Sequence, residues 1–213
     1  NAGVKEFYII VSENSQEFQE YLKSIENRLE ISINFAIQDF YGNSKPLGTS
    51  DAIFQTMNQY EELIKTRFLV CNCDNLYSVN AIKTILGESN YNSMIAYDFE
   101  YLEFSNERLS SFSLLNIENN FLSEIIEKPD IEFIRNHSRK KYVSMNIFSF
   151  KGIEIYKYLR DCPINTKRGE KEIVTAIQNM ILENKKSVIT FPFCEHVPDL
   201  TFKDDLEKIS KFL

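Results

Sequence analysis

The sequence predicts an α/β fold: a Rossmann-like, mixed and mostly parallel central sheet flanked by helices, with a small antiparallel subdomain. In the first third of the chain, apolar runs typical of strands alternate with stretches whose apolar residues recur every three or four positions. That alternation is typical of a parallel sheet covered by helices. The middle section, about residues 94–150, contains strand-like runs and a hairpin pattern, which favour antiparallel pairing.

The elements of the first third follow from periodicity and from turn-forming residues. Aromatic and β-branched runs predict strands, and a cluster of Gly, Asn, Ser and Pro predicts a loop. We expect Ser15 to be the N-cap of the first helix. The predicted elements are a strand at Lys5–Val11, a helix at Ser12–Arg28, a strand at Ile31–Phe40, a loop at Tyr41–Ser50, a helix at Asp51–Thr66 and a strand at Arg67–Cys73.

The same criteria extend over the rest of the chain, and they predict one domain spanning residues 1–213 without a repeat or a clear linker. The predicted elements are a helix at Ser78–Ser89 that stops near Gly87, a strand at Tyr91–Leu102, a hairpin at Phe112–Asp130 that turns at 118–120, a strand at Tyr142–Phe150, helices at Lys151–Asp161 and Lys171–Lys185, a strand at Ser187–Phe193 and a closing helix at Asp204–Leu213.

Composition excludes several classes of protein. With 213 residues, 43% of them hydrophobic, the chain can bury a sizeable core. A net charge of −7 argues against a general nucleic-acid or membrane-surface binder, since both need a basic face. No apolar run approaches the roughly 20 residues that span a bilayer. No signal peptide is visible, and the scattered cysteines resemble no disulfide framework, so we expect a reduced, cytoplasmic setting.

Cys71 and Cys73 lie two residues apart on a predicted strand and would face the same side. Structural zinc sites use wider Cys spacing and further ligands, and none lies nearby in sequence, so we expect buried free thiols. His137 lies in the basic stretch RNHSRKKY, which is either a solvated loop or part of a phosphate pocket. Asp74 follows an apolar run and precedes Asn75, so it either forms an ordinary turn or brings a metal-binding carboxylate to the edge of the sheet.

Six segments, in order, resemble the nucleotide-sugar pyrophosphorylases, which are sugar-1-phosphate nucleotidyltransferases. Each motif alone is weak, but the ordered set covers essentially the whole chain and implies a nucleotidyltransferase, GT-A-like fold. The segments are NAGVKEFYIIV, FAIQDF with KPLGTSDAI, LVCNCDNLYS, IIEKPD, KRGEKEIVTAI and PDLTFKDDLEKI.

The resemblance implies that the phosphate of an acceptor attacks the α-phosphorus of a nucleoside triphosphate and expels pyrophosphate. The acceptor phosphate is already largely dianionic at pH 7, since its second pKa is about 6, and no general base is needed. The protein must position two polyanions and stabilise charge, a task suited to Mg²⁺ held by carboxylates. By resemblance, Asp74 and Asp199 are the Mg²⁺ ligands.

The resemblance also implies roles for the remaining residues. Lys128 and Arg168 would pair with the acceptor phosphate as catalytic residues. The other expected contacts are Glu127, Glu170, Ser144 and Asn146 to the acceptor, and Gln38, Pro46, Gly48 and Thr49 to the nucleotide. Each also has a structural alternative, such as a turn, a helix start or an exposed strand position. The expected partners are CTP, UTP or dTTP, with a pyrimidine preferred, and a small phosphorylated acceptor for surface glycan or capsule synthesis; a homodimer is left open.

The chain departs from the family in two ways. The family's N-terminal strand and Gly-rich loop have no counterpart, and the Met-less start leads us to expect that this segment is missing rather than lost. Glycines are replaced at matched positions, among them Cys73, Ser113 and Asn146, which would reshape the acceptor pocket. The alternatives are therefore a CTP-dependent cytidylyltransferase acting on a non-sugar phosphate, a non-catalytic nucleotide- or sugar-phosphate-binding protein, and a structural partner of an active paralogue.

Overall fold

A computed structural model describes residues 2–87, 89–136, 140–201 and Asp205. The chain divides into two compact units. The first comprises Asn1–Thr66 and Gly152–Ile177, and the second comprises Arg67–Lys151 and Gln178–Leu213. The single domain inferred from the sequence stays a prediction.

The first unit contains a parallel strand pair with helices. β1 (Glu6–Val11) pairs in parallel with β2 (Ser32–Ile37), as the alternating pattern predicts. The helix α1 (Gln16–Leu29) connects the two strands. Ser15 does precede α1, but its hydroxyl donates to the Ser12 carbonyl and accepts from the side-chain amide of Gln19, and it caps no backbone N–H of the helix. The other described helices of this unit are α2 (Thr49–Gln59), α3 (Glu62–Lys65), α7 (Gly152–Arg160) and the part of α8 (Ile173–Glu183) up to Ile177.

Helix α7 packs closely against α3 because it begins with a glycine. A Cβ added at Gly152 would lie 1.9 Å from the carbonyl oxygen of Leu63. The backbone N–H of Gly152 also donates to the Thr66 carbonyl at 2.9 Å. The close approach of the two backbones therefore requires glycine at this position.

The second unit is built on a seven-stranded sheet. Its strands lie in the order β3-β8-β4-β7-β5-β6-β9, and β9 also pairs with β4. Their bounds are β3 (Arg67–Cys71), β4 (Asn92–Asp98), β5 (Ser113–Glu118), β6 (Phe121–Ile126), β7 (Tyr142–Ser144), β8 (Ile147–Lys151) and β9 (Val188–Phe193).

The mixed α/β fold is confirmed, but the expectation of a mostly parallel sheet is wrong for the described strands of this unit. β4 and β9 pair in parallel, whereas the other described pairings of this sheet are antiparallel. β3 and β4 are both antiparallel to β8, so they do run in the same direction. A connecting helix fixes the relative direction of two strands but not their adjacency, and β8 lies between them.

Helices complete the second unit around a core centred on β4, all of whose residues are buried. The apolar cluster includes Ile95, Tyr97, Leu114 and Ile147. The helices are α4 (Val79–Leu86), the short α5 (Asn106–Leu109) and α6 (Ile131–Asn136), and the part of α8 (Ile173–Glu183) that follows Ile177. Gly87 ends α4, as predicted.

Two turns show where local sequence does and does not determine the backbone. The predicted hairpin is confirmed, and Asn119 and Asn120 at its turn have φ values of 52° and 67°, as a two-residue hairpin turn requires. The strand predicted at Tyr142–Phe150 is instead two strands, β7 and β8. The extended conformation is interrupted at Asn146, whose φ is 54°.

Two expectations fall on residues that the structure does not describe. The closing helix at Asp204–Leu213 lies outside the described residues except for Asp205, and so does His137. Among the helices of the described part of the chain, none combines the length and apolarity needed to cross a bilayer.

Candidate functional site

The second unit contains a cavity of about 680 Å³ where several strands end. Its walls include four residues singled out from the sequence and two that were not. They are Asp74, Lys128, Asn146 and Asp199, and Arg108 and Thr201. Carboxylates, cations and an amide thus share one space large enough for a small ligand.

Asp74 and Asp199 are held together by main-chain hydrogen bonds. Asp74 lies beyond the end of β3 and Asp199 beyond the end of β9. The N–H of Leu200 donates to the Asp74 carbonyl at 2.8 Å, and the N–H of Leu76 donates to the Pro198 carbonyl at 2.9 Å. The two aspartates that the resemblance pairs are therefore brought to one cavity wall by a short antiparallel bridge.

Arg108, on α5, forms an ion-pair network that the sequence did not indicate. Its two terminal nitrogens donate to the two carboxylate oxygens of Asp205 at 3.0 and 2.9 Å. Nη2 also lies 3.1 Å from Oδ2 of Asp199 and donates to the Asp199 carbonyl at 3.2 Å. The guanidinium carbon lies 4.8 Å from the centre of the Phe104 ring. The hydrogen bond to Asp205 contributes most to raising the pKa of Arg108.

Asp199 is also bound by its own loop. The backbone N–H and the hydroxyl of Thr201 donate to Oδ1 of Asp199 at 3.0 and 2.6 Å. This is the local side-chain-to-backbone pattern that aspartate favours in turns, and the Asp-x-Thr spacing was its one sequence signal. Nothing in the sequence pattern indicated Arg108, because its partners lie far along the chain.

The donor set at this wall fits a divalent cation with a preference for oxygen ligands. The Asp74 carboxylate is partly exposed and has no hydrogen-bond partner among the described residues. Asp199 is buried and both its carboxylate oxygens are engaged. Oδ1 accepts two hydrogen bonds from Thr201, whereas Oδ2 contacts Arg108 alone among the described residues and keeps a lone pair for a metal. Within the described residues no group of three or more His, Cys, Asp or Glu side chains could hold a metal. Two carboxylates with phosphate oxygens and water are what Mg²⁺ typically uses.

Lys128 and Asn146 both line the cavity in a backbone conformation that is rare outside glycine. Their φ values are 45° and 54°. Such conformations concentrate at functional sites, where the surrounding structure maintains them. The Asn146 N–H donates to the Ser144 hydroxyl at 3.2 Å, so the predicted acceptor residue Ser144, buried in β7, supports the turn. Glu127 is half-buried next to Lys128.

The predicted nucleotide-binding residues lie in the first unit, around the start of α2. Gln38 is 8% exposed, and its side-chain amide donates to the Gly48 carbonyl at 3.4 Å. Gly48 has a φ of 98°, and a Cβ there would lie 2.8 Å from the Lys171 carbonyl oxygen. Thr49 accepts a hydrogen bond from the Ile173 N–H at 3.1 Å, and Pro46 is half-buried in the same loop. Gln38 and Gly48 thus adjoin each other, and their nucleotide contacts stay a prediction.

Arg168 and Glu170 also belong to the first unit, and each has a protein partner there. Arg168 forms an ion pair with Glu172, and Glu170 forms one of 2.9 Å with Lys45. The tight turn between them has Gly169 at a φ of 70°. These pairs do not test the acceptor roles expected for the two residues.

The cysteines require one correction. Cys71 and Cys73 are free thiols, as predicted, but they are exposed and not buried. β3 is the first strand in the order of its sheet and pairs with β8 alone among the described strands, which leaves its end accessible. His196 is half-buried, and its Nδ1 accepts a hydrogen bond from the Glu103 N–H at 3.1 Å. Burial lowers the pKa of His196, the Glu103 carboxylate opposes this shift, and the charge of Arg108 adds to the lowering.

Comparisons with known proteins agree with this architecture. No curated protein matches the chain. Among solved structures, a candidate glucose-1-phosphate thymidylyltransferase from Bacillus anthracis in complex with sucrose matches with a TM-score of 0.70 at 15% identity, over 96% of this chain and 74% of that one. At this identity the match shows a shared fold. The family model for nucleotidyl transferases matches residues 1–195, which is most of the chain. The chain therefore belongs to the nucleotidyl transferase family.

Proposed function

We propose that the chain is a Mg²⁺-dependent nucleotidyltransferase that moves a nucleoside monophosphate from a triphosphate to the phosphate of a small acceptor and releases pyrophosphate. The preferred acceptor is a sugar-1-phosphate. The observation that carries the proposal is the convergence of Asp74 and Asp199 on one cavity wall in a chain of this family. The cavity also presents the Lys128 ammonium, which suits an anionic acceptor.

The chemistry assigned to each residue follows from charge and position. Asp74 and Asp199 would hold Mg²⁺, which supplies positive charge to phosphate oxygens when bound. Lys128 would pair with the acceptor phosphate, and Asn146 would hydrogen-bond to the rest of the acceptor. No general base is required, because the attacking phosphate is already largely ionised at pH 7. Positioning and charge stabilisation then account for catalysis.

A pyrimidine triphosphate (CTP, UTP or dTTP) is the proposed nucleotide. Gln38 and the Gly48 backbone lie together in the segment that resembles the base-binding turn of pyrimidine-using relatives. The product would be an activated precursor for surface glycan or capsule, made in the cytoplasm. The roles of Glu127, Arg168 and Glu170 at the acceptor belong to the same proposal.

A cytidylyltransferase acting on a non-sugar phosphate is the second candidate. The Asn146 side chain lines the cavity at a position where the resembled family has glycine. A side chain there takes space from a hexose and leaves enough room only for a smaller or linear acceptor. This candidate shares the metal site and the release of pyrophosphate with the first, and it differs in the acceptor and in using CTP.

Release of pyrophosphate tests both candidates. Purified protein is incubated with Mg²⁺, each of CTP, UTP, dTTP and GTP, and a panel of sugar-1-phosphates and non-sugar phosphates. We expect one triphosphate–acceptor pair to release pyrophosphate, and Asp74→Asn to abolish the release. Glu17→Gln removes a carboxylate charge from the exposed surface of α1 and should retain wild-type activity.

One result would reject transfer as the function, and another would reject the role assigned to Asp74. One is no pyrophosphate from any pair although triphosphates shift the melting temperature, which would identify a non-catalytic binding protein. The other is equal activity of the wild type and Asp74→Asn, which would remove the aspartate from the mechanism.

A further inference from the structure

Arg108 contacts a carboxylate oxygen that a metal ion at this wall would also contact. Its Nη2 lies 3.1 Å from Oδ2 of Asp199, and Asp199 and Asp74 line the same cavity. The side chains of Arg108 and Asp199 are 16% and 6% exposed, so solvent screens their attraction only partly. A divalent cation that binds Oδ2 of Asp199 must therefore share this oxygen with a guanidinium or displace it.

Asp205 explains why Arg108 stays at this position. It binds the guanidinium through both carboxylate oxygens, a geometry that matches the fork of arginine and not the single ammonium of lysine. The ring of Phe104 lies against the guanidinium at 4.8 Å. The arginine is thus anchored on Asp205 and extends one arm of its fork to Asp199.

We propose that Arg108 competes with the divalent cation for Asp199 and thereby lowers the affinity of the site for the free ion. The proposal rests on the proposed function in one respect, since it takes Asp199 as a metal ligand. Arg108 then acts through Asp199 and is a positioning residue. In the free protein, its charge offsets the negative charge that would otherwise collect free cations at this wall.

Mn²⁺ binding measured without any substrate tests the proposal. Free Mn²⁺ is followed by electron paramagnetic resonance during titration of the wild type, Arg108→Gln, Arg108→Lys and Lys128→Met. We expect Arg108→Gln to bind Mn²⁺ about threefold to tenfold more tightly than the wild type, as loss of a competing ion pair predicts. Arg108→Lys keeps the charge but loses the fork, and it should bind more tightly than the wild type and less tightly than Arg108→Gln.

Lys128→Met is the matched control for charge. Lys128 lines the same cavity, so its removal changes the local charge by the same amount without breaking the contact to Asp199. Competition predicts a smaller effect of Lys128→Met than of Arg108→Gln. A double-mutant cycle adds Asp199→Asn, and in that background Arg108→Gln should no longer tighten binding.

Several outcomes would overturn the proposal. Weaker or unchanged Mn²⁺ binding by Arg108→Gln would assign Arg108 a purely structural role. If Arg108→Gln and Lys128→Met change the Mn²⁺ affinity equally and Arg108→Lys binds Mn²⁺ like the wild type, long-range charge alone would account for the effect, and the proposal would be rejected. The absence of Mn²⁺ binding in both the wild type and Arg108→Gln would also reject it. If Arg108→Gln fails to fold, Arg108→Lys decides, since equality with the wild type rejects the proposal and tighter binding supports it.

The assay separates this proposal from the proposed function. Tighter binding by the Arg108 variants in a protein that transfers no nucleotide would support the competition and reject the transferase. Transfer by a wild type whose Mn²⁺ affinity does not respond to Arg108 would support the transferase and reject the competition.

Discussion

The Tyr77 hydroxyl donates a hydrogen bond of 2.6 Å to the carbonyl of Met145. Tyr77 lies three residues beyond Asp74, and Met145 lies in the turn between β7 and β8 that also contains Asn146. The bond therefore joins two parts of the cavity wall, one that contains a proposed metal ligand and one that contains a proposed acceptor contact.

Tyr77→Phe should destabilise the protein and impair turnover. Loss of the hydroxyl leaves the Met145 carbonyl without this donor, which costs about 1 kcal/mol of the free energy of unfolding. Urea unfolding measures this loss, and steady-state pyrophosphate release should show a higher KM for the acceptor. Tyr101→Phe removes an exposed hydroxyl and serves as the control. Equal stability and equal acceptor KM in the two variants would show that this hydrogen bond does not stabilise the cavity wall.

Asp74→Asn and Asp199→Asn should both abolish transfer but differ in stability. Asp199 has an ion pair with Arg108 and two hydrogen bonds from Thr201, so its substitution should cost about 1–3 kcal/mol. Asp74 has no such partner among the described residues, and its substitution should leave the free energy of unfolding nearly unchanged. Pyrophosphate release should fall by about 100-fold or more in both. Equal losses of stability would contradict the contacts described for Asp199.

Substitutions at Asn146 should separate backbone strain from side-chain function. The φ of 54° favours glycine, so Asn146→Gly should keep the stability of the wild type while Asn146→Ala loses about 1 kcal/mol. Thermal unfolding measures both. Because Asn146→Gly removes a side chain from the cavity, its activity over the acceptor panel should broaden toward larger acceptors. A stable Asn146→Ala protein would show that the turn adapts without strain.

His196 should contribute to the loss of stability in mild acid. Its pKa is lowered in the folded state, so its contribution is fully present above the unfolded pKa of about 6.5 and is lost as the pH falls through the folded value. Protonation also removes the lone pair that accepts from the Glu103 N–H. The free energy of unfolding, measured in urea, should therefore fall more between pH 7 and pH 5 in the wild type than in His196→Gln, which keeps a non-titrating acceptor. Identical pH profiles would remove His196 as a cause.

The sequence predicted most of the strands, and its resemblance to the nucleotide-sugar pyrophosphorylases predicted that Asp74 and Asp199 act together. Each aspartate follows an apolar run that forms a strand, which is consistent with that expectation. It did not predict the ion pair of Arg108, since α5 is a short helix whose partners come from distant parts of the chain. Such an ion pair depends on which residues the fold brings together in space, and the local sequence pattern does not indicate it.

The strand break at Asn146 and the insertion of β8 between β3 and β4 were also not predicted. The alternation of apolar and polar residues continues through Met145 and Asn146, and one left-handed residue leaves no trace in periodicity. Strand adjacency depends on which strands pair across the sheet, and the pattern of alternating elements determines direction alone.

The antiparallel bridge between Asn75 and Asp199, which holds Asp74 beside Asp199, has a consequence for the order in which the candidate site forms. Its two sides lie far apart in sequence, so it forms only after the entropy cost of closing a long loop has been met. During synthesis, a chain that has emerged only as far as β9 has Asp74 without its partner. The proposed metal site should therefore form only once Pro198 and Leu200 have paired with the segment at Asp74, and removal of the chain after β9 should abolish metal binding.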